Sequence, residues 1–276
     1  MNQTRLIEAI GSIDHVVIAI GDLAQSADIY RRIGFTLSRK GVHSAALGTE
    51  NHTIMLREDY FELLAVAAPT DRNSYWRQVI DQGGGVAGVA MTTQDPLAAR
   101  NHWLAAGLSP EPAIKFSRAV PRPDGSSLEA RFEVVALDEI PHTGLRVFVC
   151  SQPTRDAVWL PELMQHANRA IAIRRLMLAC PDAEVSAAQW RRILPAARLI
   201  PTTAGITLDT GQHAIDLVQQ NVEQVRALGI DFVVADLAAC RAALITGEIP
   251  YRDEGARLTV RPEFACNVAM AFETRA

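Results

Sequence analysis

The chain has 276 residues, of which 49% are hydrophobic and 21% charged, and its formal net charge is −4. This composition supplies ample apolar material for a buried core and does not indicate disorder. The basic residues are dispersed, which argues against a nucleic-acid-binding surface and against a basic membrane-surface helix. No uncharged apolar run approaches the roughly 20 residues that span a bilayer, so we expect a cytoplasmic protein.

The first predicted unit opens with Ser12 to Phe35, "SIDHVVIAIGDLAQSADIYRRIGF". The pattern predicts a strand, a turn at Gly21-Asp22, and a helix that ends at Gly34. Asp22 is suited to cap this helix, because its carboxylate can accept the free N–H groups of the first turn. His15 lies within the otherwise aliphatic strand, and the pattern leaves open whether it is a core residue or a ligand.

Strand, aspartate turn and helix then recur three more times along the chain. The copies begin near "GVAMTTQDPLAARNHWLAAGL", "IRRLMLACPDAEVSAAQWRRILP" and "GIDFVVADLAACRAALITGEI". Short alternating or apolar segments follow each helix and are predicted to be strands. The repeated unit is therefore β-α-β-β-β, and its copies lie near residues 12–67, 85–150, 171–219 and 229–273.

One such unit exposes the apolar face of its sheet, and pairing two units would bury it. The predicted fold class is therefore α+β, with four βαβββ modules that form two paired-module domains. The expected division is an N-terminal domain at residues 1–150, a connector at 151–170, and a degenerate C-terminal domain at 171–276.

Three segments strengthen this interpretation. They are "GTENHTIMLREDYFELLAV" (48–66), "FSRAVPRPDGSSLEARF" (116–132) and "FVCSQPTRDAVWLPELMQHANRA" (148–170). Together with the repeated unit, they resemble the vicinal oxygen chelate superfamily, which includes glyoxalases and extradiol dioxygenases, and within it the glyoxalase-like domain subfamily. The resemblance implies cupped sheets in which the first and last strands of a module carry metal ligands.

On this resemblance, His15 from the first strand and Glu62 from the strand "DYFELLAV" are the expected metal ligands. A buried carboxylate needs a cation or a hydrogen-bond donor, and imidazole with carboxylate suits Zn²⁺, Fe²⁺, Mn²⁺ or Ni²⁺. The alternative is a buried ion pair between His15 and Glu62. Gln152 is the expected third ligand, at a position where the subfamily commonly has histidine.

Four further residues are predicted to bind substrate. Arg118 could hold an anionic group in a bidentate manner, or it could be an exposed surface residue. His166 and Asn168 could line the pocket mouth, or His166 could be a hydrogen-bonded residue that joins the two domains. Asn51, beside His52, could approach the same cavity.

The remaining ionisable residues are given no catalytic role. His43, His102 and His213 are expected on the surface or on amphipathic faces, and His142 in an exposed turn. The cysteines are widely spaced without a C-x-x-C pair and are expected to be small buried hydrophobes that form neither disulfide nor metal site: Cys150, Cys180, Cys240 and Cys266.

The second half lacks a recognisable ligand set. When the repeats are aligned, Arg175 takes the position of His15 and would repel a cation. Asp216 roughly takes the position of Glu62. A metal site is therefore expected in the first domain.

These features predict a divalent-metal-dependent lyase, isomerase or dioxygenase that acts on a small oxygen-rich or anionic metabolite. Glu62 would also be catalytic, by moving a proton. The expected partner is a small molecule rather than nucleic acid or membrane, and a homodimer is a further expectation. The alternative is a metal-free protein of the same fold that sequesters a drug-like or aromatic ligand, which Gln152 in place of histidine favours.

Overall fold

The computed structural model describes residues 9–121, 126–138 and 142–275. Sixteen strands in these ranges form two eight-stranded mixed sheets. The first sheet has the order β2-β3-β4-β1-β5-β8-β7-β6. Its strands are β1 (Ile13–Ala19), β2 (Gly41–Val42), β3 (Thr49–Met55), β4 (Tyr60–Val66), β5 (Gly85–Thr92), β6 (Ile114–Pro121), β7 (Ser127–Ala136) and β8 (Arg146–Ser151).

The second sheet repeats this order eight strands later, as β10-β11-β12-β9-β13-β16-β15-β14. Its strands are β9 (Ala170–Cys180), β10 (Arg198–Thr202), β11 (Gly205–Asp209), β12 (Ala214–Gln219), β13 (Arg226–Val234), β14 (Arg252–Asp253), β15 (Arg257–Val260) and β16 (Ala269–Glu273). The fold prediction of four βαβββ modules in two pairs is thereby confirmed. That residues 1–150 and 171–276 are separate domains stays a prediction.

Four helices occupy the repeated position after a module's first strand. They are α1 (Leu23–Arg32), α3 (Pro96–Ala105), α4 (Ala183–Ile193) and α5 (Leu237–Thr246). Each begins after an aspartate whose side chain accepts a backbone N–H of the first turn, namely Asp22, Asp95, Asp182 and Asp236. The predicted aspartate caps are therefore present. A further helix, α2 (Ser74–Asp81), lies between the first two modules.

The main core lies between the two halves and draws on both sheets and their helices. Phe61 of β4 contacts Phe232 of β13 with ring centroids 5.3 Å apart, and Phe232 stacks on Phe272 of β16. Trp103 of α3 donates through its indole N–H to Ile193 O, 3.1 Å away, at the end of α4. The helices of one half thus contact the other half directly.

A second, smaller core covers the opposite face of the first sheet, which we call the inner face and define by Val17, Tyr60 and Phe148. The connector crosses this face through two short 3₁₀ helices, Arg155–Ala157 and Pro161–Met164. Trp159 lies between them, is buried, and donates to Leu56 O at 3.1 Å. No helix described in the structure is long and apolar enough to cross a bilayer.

Candidate functional site

His15 and Glu62 lie on the inner face of the first sheet. β1 and β4 pair in parallel, with His15 opposite Tyr60 and Val17 opposite Glu62. Because side chains alternate along a strand, all four residues share one face. His15 is 4% and Glu62 8% exposed, so both ionisable groups are buried. The two are diagonal neighbours on adjacent strands.

A β-bulge adds a third ionisable group to this face. Between Ile13 and His15, β1 advances two residues while β5 advances one, from Met91 to Ala90. The extra residue is Asp14, and a bulge of this kind re-aims a side chain that simple alternation would send to the other face. Asp14 is buried, and its carboxylate lies beside the imidazole of His15.

Asp14 connects His15 to Gln152. One carboxylate oxygen, Oδ2, lies 2.7 Å from His15 Nδ1 and accepts a hydrogen bond from Gln152 Nε2, also at 2.7 Å. Since an ionised carboxylate only accepts, Nδ1 of His15 carries the proton and the lone pair of Nε2 is left available. Gln152 Oε1 is buried and has no hydrogen-bond partner among the described residues.

Cys150 completes a compact group of potential ligands. The ligand atoms of Asp14, His15 and Cys150 all lie within 4.8 Å of one another, and all three residues are buried. Burial raises the pKa of the Cys150 thiol well above its usual value, and the negative charges of Asp14 and Glu62 raise it further. No metal role was predicted for Cys150, and its place beside Asp14 and His15 makes it a further candidate ligand.

Glu62 belongs to a neighbouring polar group. Its Oε2 accepts a hydrogen bond from Asn51 Nδ2 at 2.5 Å. Burial lowers the pKa of the nearby His43, and the charge of Glu62 opposes this by a smaller amount. Arg118 reaches this group from the far edge of the sheet: a Cβ built on Gly41 would lie 3.6 Å from Arg118 Nη1 and 2.5 Å from Asn51 Oδ1. The edge strands β2 and β6 therefore approach each other. This approach brings Arg118 close to Asn51, which contacts Glu62.

Tyr60 lies between the two groups. Its ring stacks on His15 with centroids 4.3 Å apart and meets Trp159 edge-on at 5.5 Å. Burial, followed by the charge of Asp14, raises the pKa of the Tyr60 hydroxyl well above its usual value. The phenol therefore stays protonated and can donate a hydrogen bond. The signal for it in the sequence is its place two residues before Glu62 in "YFELL".

These residues fit a divalent metal ion. Asp14 and Glu62 place two carboxylates in a buried region. The half-buried Arg118, at the edge of this region, is a positively charged side chain close enough to affect Tyr60. Gln152 Oε1 is an unpaired buried acceptor, and the Nε2 lone pair of His15 is available. A donor set of imidazole, carboxylate, amide oxygen and thiol suits Zn²⁺ or Fe²⁺ better than Mg²⁺ or Ca²⁺.

His166 and Asn168 lie away from this group. His166 Nδ1 accepts from the backbone N–H of Thr36 at 2.9 Å, and Nε2 lies 2.9 Å from Met55 O. Asn168 is fully buried, donates to Ile33 O at 3.2 Å and accepts from Ala170 N at 3.1 Å. Both partners of His166 belong to the first half of the chain, so its side chain holds the connector to that half and does not itself join the two halves. Asn168 contacts Ile33 of the first half and Ala170 at the start of β9.

Two histidines expected on the surface or on amphipathic faces are fully or partly buried. His213 is buried, and its Nε2 lies 2.9 Å from Asp59 Oδ2 while its Nδ1 lies 2.5 Å from Ser12 Oγ. The expectation for His213 was wrong, because its partners come from the other half of the chain. His43 is half-buried, with Nδ1 2.7 Å from Thr49 Oγ1. His142 is exposed, as expected.

The second sheet carries ion pairs at the positions that match the site. Arg175 is opposite Ala214 and Met177 opposite Asp216, which is the same register as His15 with Tyr60 and Val17 with Glu62. Arg175 Nη1 lies 2.9 Å from Asp216 Oδ2, and its Nε lies 3.2 Å from Asp231 Oδ2. A guanidinium thus supplies the positive charge between these carboxylates.

A cavity adjoins the site rather than containing it. It has a volume of about 570 Å³ and lies over β6, β7 and β8, with α2 at its other wall. Phe148 belongs to its lining, and the Phe148 ring meets His15 edge-on with centroids 5.3 Å apart. One aromatic ring therefore separates the cavity from the Asp14–His15 pair.

Comparisons with known proteins agree with this architecture. A family model described as "Glyoxalase-like domain" matches residues 13–194. A search of curated proteins gave no significant match.

Solved structures share the whole two-sheet arrangement. A hypothetical protein from Staphylococcus aureus aligns with a TM-score of 0.70 at 12% identity, over 96% of this chain and 99% of that one. A 4-hydroxymandelate synthase variant from Streptomyces coelicolor aligns with a TM-score of 0.64 at 10% identity, over 97% and 94%. A homoprotocatechuate 2,3-dioxygenase variant from B. fuscum gives 0.57 at 12% identity, over 98% and 73%.

Identities this low are informative about the fold alone. The four repeated modules, their pairing and these matches define a protein of the vicinal oxygen chelate superfamily. Because the family model covers more than half of its length, the chain belongs to the glyoxalase-like domain family.

Proposed function

We propose that this protein is a divalent-metal-dependent enzyme, a lyase, isomerase or dioxygenase, that acts on a small oxygen-bearing molecule. His15, Glu62 and Gln152 would hold the metal, and Asp14 would orient His15. The observation that carries the proposal is that His15 and Glu62 are buried diagonal neighbours on one face of β1 and β4, beside the group of Asp14, His15 and Cys150 whose ligand atoms lie within 4.8 Å of one another. The proposal includes a cytoplasmic location, a homodimer and the division into domains at residues 1–150 and 171–276.

The chain's own residues have distinct roles in this proposal. Arg118, at the rim, would bind an anionic group of the substrate. Tyr60 would donate a hydrogen bond to an oxygen on which negative charge develops. Glu62 would accept and return a proton within the buried site. When bound, the divalent cation would supply Lewis-acid stabilisation for adjacent substrate oxygens.

Metal analysis of protein purified without added metal tests this proposal. We expect about one divalent ion per chain in the wild type, and loss of that ion in His15→Ala and in Glu62→Ala. His142→Ala and Glu223→Ala are matched controls, because both residues are exposed and outside the site, and they should keep the ion. Circular dichroism of each variant checks that the fold is intact.

A metal-free binding protein is the second candidate. It is favoured by the internal hydrogen bonds of the two expected ligands, since Gln152 Nε2 donates to Asp14 and Glu62 accepts from Asn51. In this case the cavity beside Phe148 would sequester an apolar molecule. Well-folded wild-type protein that carries no metal, and acquires none on incubation with Zn²⁺ or Fe²⁺, would reject the enzyme in favour of the binder.

A further inference from the structure

We infer that the cavity over β6, β7 and β8 binds a flat, largely apolar carboxylate, such as an aryl acid, with its apolar body among Trp76, Phe116 and Phe148. The inference goes beyond the proposed function, because the cavity adjoins the proposed metal site and is not lined by His15, Glu62 or Gln152. The cavity volume of about 570 Å³ is within the usual range of small-molecule sites, roughly 300–1,000 Å³. Aromatic walls favour flat apolar groups.

The second module has an apolar surface where the first has its ligands. Gly88 of β5 occupies the repeat position that corresponds to His15, and the Trp76 indole lies over it. A Cβ built on Gly88 would lie 3.0 Å from Trp76 Cη2 and 3.3 Å from Arg146 O. The close approach of α2 therefore depends on glycine at position 88, and it forms one wall of the cavity.

The cavity lies against an aromatic ring that also contacts His15. Phe148 lines it on one side and contacts His15 on the other, with ring centroids 5.3 Å apart. Phe116 of β6 also lines the cavity and stacks on Phe132 of β7 with centroids 5.1 Å apart. A flat ligand in the cavity would therefore contact aromatic rings, one of which also contacts His15.

One arginine at the edge of the cavity is available to bind an anion. Four ionisable side chains line the cavity: Asp71, Arg72, Glu111 and Arg146. Arg146 is paired with Glu111, so its charge is offset. Asp71 is exposed and forms no ion pair with Arg72 among the described residues. Arg72 is exposed and has no ion-pair partner among the described residues, which leaves its guanidinium available for a carboxylate.

Isothermal titration of purified protein with naphthalene-2-carboxylate, and with the uncharged naphthalene-2-carboxamide, tests the inference. We expect saturable one-site binding of both by the wild type. Ala136→Phe and Val134→Phe each place a ring in the cavity and should weaken both ligands at least about tenfold. Two variants are used so that one misfolded protein, detected by circular dichroism, does not decide the result.

Arg72→Gln should weaken the carboxylate about tenfold and leave the carboxamide within about twofold. Arg191→Gln is the matched control, because Arg191 is exposed on α4 in the other half, and it should change neither affinity. Equal effects of Arg72→Gln on both ligands would overturn the assignment of the anion to Arg72.

Absence of saturable binding, or binding unaffected by both phenylalanine substitutions, would overturn the cavity assignment. Metal content and probe binding are measured separately on the wild type, because neither His15 nor Glu62 lines the cavity. Failure of the two proposals is therefore distinguishable. Metal-free protein that binds the probe refutes only the metal enzyme, and metal-loaded protein that binds neither probe refutes only the cavity assignment.

Discussion

Asp14 is the residue that makes His15 chemically specific. Its Oδ2 lies 2.7 Å from His15 Nδ1 and accepts from Gln152 Nε2 at the same distance. A carboxylate in this position selects the tautomer with an available Nε2 lone pair and fixes the orientation of the ring. Asp14 is therefore a positioning residue that acts through His15.

Asp14→Asn should lower the affinity for a divalent metal about 10–100-fold, because the amide orients the imidazole less strongly than a carboxylate. Competition with a chromogenic chelator measures the affinity. Long-range ¹⁵N–¹H correlation spectra of the His15 ring report the tautomer, which a merely structural role would leave unchanged.

The exposed Asp28 of α1 offers a matched control, since Asp28→Asn removes the same charge at a distance from the site. Unaltered metal affinity and an unaltered tautomer in Asp14→Asn would show that Asp14 does not position His15.

At the scale of secondary-structure elements, His166 attaches the connector to the first half of the chain. His166 Nδ1 accepts from Thr36 N–H and Nε2 lies 2.9 Å from Met55 O, so the neutral ring satisfies two backbone groups. Burial lowers the pKa of His166 below its usual value of 6.5, and the hydrogen bond to Met55 opposes this by a smaller amount. Protonation at Nδ1 would break the bond from Thr36.

The lowered pKa makes the stability of the protein depend on pH. Because the unfolded chain binds this proton more readily, the contribution of His166 is present above pH 6.5 and is lost as the pH falls through the lowered pKa. Denaturant unfolding of wild type and His166→Gln at pH 7.5 and 5.5 measures this effect. The wild type should lose more free energy of unfolding on acidification, at most about 1.4 kcal/mol per pH unit.

His142→Gln is the control, because that histidine is exposed. Its free energy of unfolding should fall between pH 7.5 and 5.5 by as much as that of the wild type. If His166→Gln lost as much stability as the wild type, a different group would be responsible.

The whole molecule is two sheets joined through a shared core and through a buried polar link. Asp59 of the first half accepts from Ile173 N at 2.9 Å and lies 2.9 Å from His213 Nε2 in the second half. The side chains of Asp59 and His213 have no exposed surface. Burial raises the pKa of Asp59, and its contacts with His213 and Ile173 oppose this. The halves therefore constrain each other at a polar contact as well as an apolar one.

Asp59→Ala should destabilise the protein by roughly 2–4 kcal/mol, because it leaves the backbone N–H of Ile173 and the ring of His213 buried without an acceptor. Chemical denaturation followed by far- and near-ultraviolet circular dichroism gives the free energy of unfolding. Asp253→Ala removes a surface ion pair with Arg241 and should change the stability far less than Asp59→Ala does. Similar losses in the two variants would contradict a structural role for the link between the halves.

The sequence by itself determined the modular fold, because repeated strand, aspartate cap and helix are local patterns that predict the module. The expectation that His15 and Glu62 share an inner face came from the resemblance to the superfamily and not from periodicity. Asn51 and Arg118 were candidates on the sequence, which did not show that they meet.

Only the tertiary structure decided which side chains surround them. The bulge at Asp14 breaks the alternation on which the strand prediction rests, so neither Asp14 nor its contact with Gln152 could be read from spacing. Arg118 reaches Asn51 because the edges of an eight-stranded sheet approach each other, and His213 is buried because the other half supplies Asp59. These contacts join residues distant in the chain, and their free energies depend on the packed sheets rather than on any local segment.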